Sequence, residues 1–282
     1  LPEGTGRVNE KAIAMYRDMI LTMKENGITP YLTLFHWEFP QALYERGGWQ
    51  NPGVVQWFGE YAKVVAENFS DICEYFITIN EPQCVVGLGH LSGVHAPGVK
   101  LPVAQTFLVA HHLLMAHGQA VINLRRYAVR PVRIGFAPTG GVAYPYTDRS
   151  EDIEAAKKVY FGFYNPIDNW TWNVAWFSDP VFLGHYPKEG LEKFAQYLPE
   201  ITEEDMKLIH QPLDFMGQNI YNGYYVRAGA DGEPEFVDRA PGFPKTGSDW
   251  PVTPEAFYYG IKFLTERYPL PLYITENGMS CH

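Results

Sequence analysis

Two glutamates occupy equivalent places in this sequence, each directly after a short apolar run. Glu81 follows YFITIN and precedes Pro82, while Glu276 follows LYIT and precedes the turn Asn277-Gly278. A carboxylate at the exit of a buried strand is costly unless it is paired, hydrogen-bonded or used in chemistry. One such glutamate is equally well explained as a satisfied structural group, whereas two at matching places favour a working pair.

A pair of this kind suits glycosyl transfer. One carboxyl protonates the leaving oxygen while the other attacks the anomeric carbon, and in retaining enzymes the two carboxyls lie about 5–5.5 Å apart. We therefore expect Glu81 and Glu276 to face each other across one cleft.

Strand patterns alternate with helical patterns along the whole chain. We predict strands over 28–35, 75–79, 132–137, 214–221 and 272–275, and helices over 8–26, 52–69, 101–127, 151–161, 202–210 and 254–268. Strands that are apolar on both faces, each followed by a helix, indicate a parallel sheet covered by helices. The Pro- and Gly-rich stretch 229–251 is predicted to be a long loop.

Polar side chains crowd the C-terminal ends of these predicted strands. They lie at His36-Trp37-Glu38, Asn80-Glu81, Asn219 to Tyr221 and Glu276-Asn277. Barrel enzymes place their chemistry at this end, with several strands each contributing a residue or two.

Several motifs occur together in this sequence. They are TLFHWEFPQAL at 33–43, GGWQNP at 47–52, TINEP at 78–82, GVHAPG at 93–98, AHHLLMAHGQA at 110–120 and YITENG at 273–278. In this order they resemble motifs of family-one glycoside hydrolases, the β-glucosidase family, in which the stretches similar to TINEP and YITENG are the acid/base and nucleophile signatures. The resemblance covers the whole chain. It implies an α/β fold, the (β/α)8 TIM barrel, with about five of the eight strands in this chain.

The resemblance implies a single catalytic barrel domain over 1–282. The chain begins at Leu1 without Met and ends shortly after the apolar run 272–275. We therefore expect the domain to be incomplete at its N- and C-terminus, as a cut from a longer protein.

The resemblance also implies roles for individual residues. Glu81 matches the acid/base, and Glu276 matches the nucleophile of a retaining β-glycosidase. Tyr221 matches the tyrosine whose hydroxyl touches the nucleophile; without the resemblance it would be a packed strand aromatic. Substrate-binding roles are implied for His36, Trp37, Asn80, Asn219 and Tyr221.

The implied activity is hydrolysis of terminal β-D-glucosides, with β-galactosides and β-fucosides left open. The partner would be a small-molecule β-glucoside or a short β-gluco-oligosaccharide. A 6-phospho-β-glycosidase and an inactive sugar-binding fragment are the alternatives. Trp37 and Pro82 favour the non-phosphorylated substrate, and Glu81 argues against a thioglucosidase, which carries Gln there. Gln83 replaces the family's common Trp, so we expect a more polar leaving-group side.

Composition narrows the classes of partner. The net charge of −10 repels phosphate backbones and anionic lipid, so we expect no nucleic acid and no membrane partner; a homo-oligomer is left open. Three cysteines, Cys73, Cys84 and Cys281, predict reduced, buried thiols in a cytoplasmic protein. We expect no cofactor and no metal, because the three histidines of the helix over 101–127 do not share one face.

Overall fold

The structure, a computed structural model, describes residues 1–281. Its strands are β1 (Tyr31–Phe35), β2 (Tyr75–Asn80), β3 (Arg133–Ala137), β4 (Val142–Pro145), β5 (Phe215–Asn219), β6 (Gly223–Ala228), β7 (Pro234–Val237) and β8 (Leu272–Glu276). Its α-helices are α1 (Glu10–Glu25), α2 (Gln41–Tyr44), α3 (Val54–Phe69), α4 (Pro82–Cys84), α5 (Val103–Tyr127), α6 (Ser150–Phe161), α7 (Val174–Phe182), α8 (Lys188–Phe194), α9 (Glu203–Ile209) and α10 (Pro254–Arg267). No helix within this described range is both long and apolar enough to cross a membrane.

Five strands form one parallel sheet in the order β1-β2-β3-β5-β8. The whole of β5 is buried, as is β2 from its second residue onward. Burial on both faces explains why these segments are apolar without alternation. The predicted parallel sheet is confirmed, although β1 begins only after Pro30, which has no N–H for a ladder bond.

The sheet curls, so its two outer strands approach each other. The ring centroids of Tyr31 in β1 and Tyr273 in β8 are 5.7 Å apart. Phe215 packs between them, at 5.9 Å from Tyr31 and 5.1 Å from Tyr273. Within residues 1–281, β1 and β8 each pair with one neighbouring strand of this sheet. The result is an incomplete barrel, with a cluster of aromatic side chains at the N-terminal ends of its strands.

Helices cover the outside of this sheet. The apolar faces of α3 and α5 meet in the main core, together with Phe76 and Ile134 from the sheet. Helix α5 approaches α9 so closely that a Cβ at Gly118 would lie 1.8 Å from the Leu208 carbonyl oxygen. Helix α9 begins with a threonine cap, since the Thr202 hydroxyl accepts a hydrogen bond from the backbone N–H of Asp205.

A second, three-stranded sheet continues from the C-terminal ends of β3 and β5. Strands β4 and β6 follow them after residues 138–141 and 220–222, pair in parallel, and β7 adds antiparallel to β6. The prediction of a loop throughout 229–251 is therefore wrong at β7. Asp231-Gly232, a hairpin-turn signal, was the feature that could have revealed this strand.

Helix α7 was not predicted, because every one of its nine residues is buried and its sequence has no polar face. Its Asp179 side chain, fully buried, anchors it to α10. The carboxylate accepts hydrogen bonds from the Arg267 Nε at 2.9 Å and the Tyr268 hydroxyl at 2.7 Å. Helix α10 leads into β8, so this contact helps to place the strand that ends at Glu276.

We predict that Asp179→Asn lowers the free energy of unfolding by on the order of 3 kcal/mol, because it leaves a half-buried guanidinium without its countercharge. Urea unfolding followed by circular dichroism measures the change. The matched control is Glu74→Gln, which breaks the exposed pair with Arg133 and should change little. Equal losses in the two variants would contradict a structural role for the buried pair.

Candidate active site

The structure brings the predicted site residues to one edge of the large sheet. His36 directly follows β1, Glu81 directly follows β2, Asn219 ends β5 and Glu276 ends β8. Parallel strands finish at the same edge, so four separate segments contribute to one site. A cleft of about 400 Å³ lies there, and its lining includes His36, Asn80 and Glu276.

Glu276 is held by Tyr221. The phenol donates a hydrogen bond of 2.5 Å to Glu276 Oε2. Burial raises the pKa of Tyr221, and the hydrogen bond to Glu276 and the charges of Glu276 and Glu81 raise it further. The phenol therefore stays protonated as a donor, and both carboxylates lie near enough to act on it.

Glu81 sits in different surroundings. Its side chain is 6% exposed, and its Oε1 accepts a 2.8 Å hydrogen bond from Asn219 Nδ2. Its Oε2 lies 3.2 Å from the Cys84 thiol, which donates to it. Burial raises the pKa of Cys84, and the negative charge of Glu81 raises it further, so the thiol stays protonated. The two carboxylates thus have separate donors, a phenol for one and an amide with a thiol for the other.

Asn219 connects several strand ends. Its amide nitrogen also donates to Asn80 Oδ1 at 3.0 Å, and its amide oxygen accepts from the Thr275 hydroxyl at 2.5 Å. Asn80 Nδ2 in turn lies 3.2 Å from His36 Nε2. One hydrogen-bonded chain thereby crosses the edge of the sheet from β8 to β1.

Two residues of the site have positive φ angles without being glycine. Trp37 has φ 83° and Glu81 has φ 44°. Such conformations cost on the order of 1–3 kcal/mol each and persist only where surrounding contacts hold them. For Trp37 the contact is a 3.2 Å hydrogen bond from its indole Nε1 to the Asn80 carbonyl oxygen. For Glu81 it is a 2.8 Å bond from its backbone N–H to the Ala137 carbonyl oxygen.

Sequence reasoning missed three residues that touch this site. Cys84 was treated as an ordinary core thiol, and Thr275 was treated as part of a strand. Trp250 lies in the stretch predicted to be a loop, yet its ring packs edge-on against Tyr221 at 5.3 Å between centroids. A tryptophan inside a Pro- and Gly-rich segment was the available signal for it.

Other predictions need correction. Gln83 is fully buried and its Oε1 accepts from the Thr139 N–H at 3.1 Å, so it does not make the cleft more polar. Cys73 and Cys84 are buried as predicted, but Cys281 is exposed.

Each of the helical histidines has a separate partner. His111 Nδ1 lies 3.0 Å from the Tyr186 hydroxyl, and His112 Nδ1 lies 2.8 Å from the Trp49 carbonyl oxygen. Among residues 1–281, no three or more His, Cys, Asp or Glu side chains are grouped so that they could hold a metal ion.

The sequence of this chain is similar to those of known proteins. The whole chain, residues 1–282, matches the family described as Glycosyl hydrolase family 1. β-Glucosidase A of Thermotoga maritima is 41% identical over 281 residues, which are 99% of this chain and 60% of that protein. The β-glucosidase of an Agrobacterium species is 36% identical, over 99% of this chain and 59% of that protein.

A solved structure gives the same result. The family 1 β-glucosidase from Thermotoga maritima superposes with a TM-score of 0.83 at 40% sequence identity, over 99% of this chain and 60% of that one. Structures of the β-glucosidase from that organism also include complexes with glucoimidazole and deoxynojirimycin. The chain spans about 60% of the length of the Thermotoga protein that it matches.

Behind β2, His117 supports the strand that leads to Glu81. It is fully buried, and its Nδ1 lies 2.6 Å from the Thr78 hydroxyl. Burial lowers the pKa of His117 to about 3. Its imidazole is therefore neutral in the folded protein, whereas an unfolded chain would bind a proton below about pH 6.5.

We predict that His117 makes the fold sensitive to acid. A lowered folded-state pKa gives stability that is complete above about pH 6.5 and is lost as the pH falls toward 3, about 2 kcal/mol by pH 5. His117→Gln should reduce the difference in unfolding free energy between pH 7 and pH 5 by about that amount. The exposed His185→Gln is the control, and an unchanged pH dependence in His117→Gln would contradict the prediction.

Proposed function

Because the chain belongs to glycosyl hydrolase family 1, we propose that it carries the catalytic pair of a retaining β-glucosidase. The observation that supports this most strongly is the meeting of Glu81 and Glu276 at one edge of the sheet, each with its own hydrogen-bond donors. The substrate would be a terminal β-D-glucoside or a short β-gluco-oligosaccharide.

Glu276 would act as the nucleophile. Tyr221 holds Oε2 of its carboxylate, which leaves the other oxygen to attack the anomeric carbon. As the new bond to carbon forms, the bond from that carbon to the leaving oxygen breaks. Glu81 gives its proton to the leaving oxygen, so the departing group leaves as a neutral alcohol.

Water would complete the second half of the reaction. Glu81, now ionised, takes a proton from a water molecule while the water oxygen attacks the anomeric carbon. The ester bond to Glu276 breaks and the carboxylate returns, with Tyr221 again donating to it. Two inversions at carbon give a β-configured product.

Three of the remaining predicted residues would position the sugar. His36 and Asn80 line the cleft beside Glu276, where their polar atoms can meet ring hydroxyls. Trp37 lies next to them and could offer its ring face to the sugar. The curated relatives are named β-glucosidases and 1,4-β-D-glucan glucohydrolases, which favours glucosides over phosphorylated sugars.

We predict that a 2-deoxy-2-fluoro-β-glucoside with a good leaving group labels Glu276. The fluorine slows both the formation and the hydrolysis of the glycosyl ester. The good leaving group makes formation fast again, so the covalent ester accumulates. Mass spectrometry of peptides locates the label. Glu276→Gln is the control and should take up none, while a label on another residue would overturn the assignment.

We predict that Glu81→Ala reduces kcat/KM for an alkyl β-glucoside by about 10³-fold, because a poor leaving group needs the acid. For a dinitrophenyl β-glucoside, whose dinitrophenolate leaves without protonation, the rate of the first step should fall far less. Azide should restore turnover and yield the β-glucosyl azide. The same substitution at the exposed Glu255 serves as control, and an α-azide product would mean inversion and contradict the mechanism.

A further inference from the structure

The amide of Asn219 has no donor left for a sugar. It is fully buried, and a carboxamide nitrogen carries two hydrogens. One goes to Glu81 Oε1 at 2.8 Å and the other to Asn80 Oδ1 at 3.0 Å. We therefore revise the expectation that Asn219 binds substrate: its contacts suit it to orienting Glu81.

The orientation of this amide depends on Thr275. The Thr275 hydroxyl donates to Asn219 Oδ1 at 2.5 Å, which holds the carbonyl oxygen on the β8 side and the two N–H groups toward β2. A flipped amide would place an oxygen against the Glu81 carboxylate, where two acceptors repel each other.

The Thr275 side chain is itself held by close packing. A Cβ built on Gly217 of β5 would lie 3.0 Å from Thr275 Cγ2 and 3.0 Å from Ala137 Cβ. The glycine lets β5 approach both neighbours, and the methyl group of Thr275 fills that space. The hydroxyl is thereby fixed in the direction of Asn219.

We propose that Thr275 is a positioning residue for the acid/base Glu81 and acts through the Asn219 amide. The amide holds Oε1 of Glu81, and the thiol of Cys84 holds Oε2, so the carboxyl cannot rotate freely. A thiol is the weaker donor, so Oε2 is the oxygen that carries the transferred proton. The strand that ends with the nucleophile thus also sets the orientation of the acid. This inference rests on the proposed function of the two glutamates.

Thr275→Val tests the proposal, since it keeps the shape and removes the hydroxyl. We expect kcat/KM for methyl β-glucoside to fall about 10-fold, mostly in kcat, and that for 2,4-dinitrophenyl β-glucoside to fall less than about 2-fold. Thr275→Ser keeps the donor and should restore the activity toward methyl β-glucoside. Thr275→Ala, which cannot overpack, should shift the ratio of the two substrates in the same direction as Val.

Thr171→Val is the matched control. Thr171 is fully buried and its hydroxyl has no hydrogen-bond partner among residues 1–281, so the change removes a buried hydroxyl without touching the site. Thermal unfolding of each variant shows whether it is folded before its kinetics are compared.

Equal losses on the two glucosides would mean that Thr275 supports Glu276 or the fold, and would overturn the proposal. An unchanged ratio in both Thr275→Val and Thr275→Ala would also overturn it. If the unsubstituted protein hydrolyses neither glucoside, the proposed function itself fails, and this inference fails with it.

Discussion

The site depends on one buried amide. Asn219 ends β5 between the strands that carry the two glutamates, and its single side chain bonds Glu81, Asn80 and Thr275. A buried carboxylate is costly unless donors satisfy it, so this amide makes the position of Glu81 tolerable. The parallel arrangement of the strands supplies the geometry, because it brings their C-terminal ends to one edge.

The two carboxylates differ through their neighbours rather than through their own chemistry. Glu276 lies half-buried under a phenol, while Glu81 is buried between an amide and a thiol. Glu276 is the last residue of β8, whereas Glu81 follows β2 and has a positive φ. Strain and burial concentrate at these strand ends, and the rigid sheet beneath them sustains both.

Other parts of the fold support the same C-terminal edge of the large sheet. Helix α10, which the buried Asp179 anchors, leads into β8, and the neutral His117 packs behind β2. The loop after the small sheet brings Trp250 against Tyr221. Each of these contacts joins segments far apart in sequence, so the site is a product of the whole barrel portion.

The sequence by itself determined the parallel sheet, the helices with clear apolar faces and the strand ends at which polar residues gather, because these follow from local periodicity. Motif resemblance added the roles of Glu81 and Glu276. Only the tertiary structure showed that Asn219 is saturated by protein partners, that Gln83 is buried and that α7 exists. Burial and hydrogen-bond partners depend on which distant segments meet, and no local pattern carries that information.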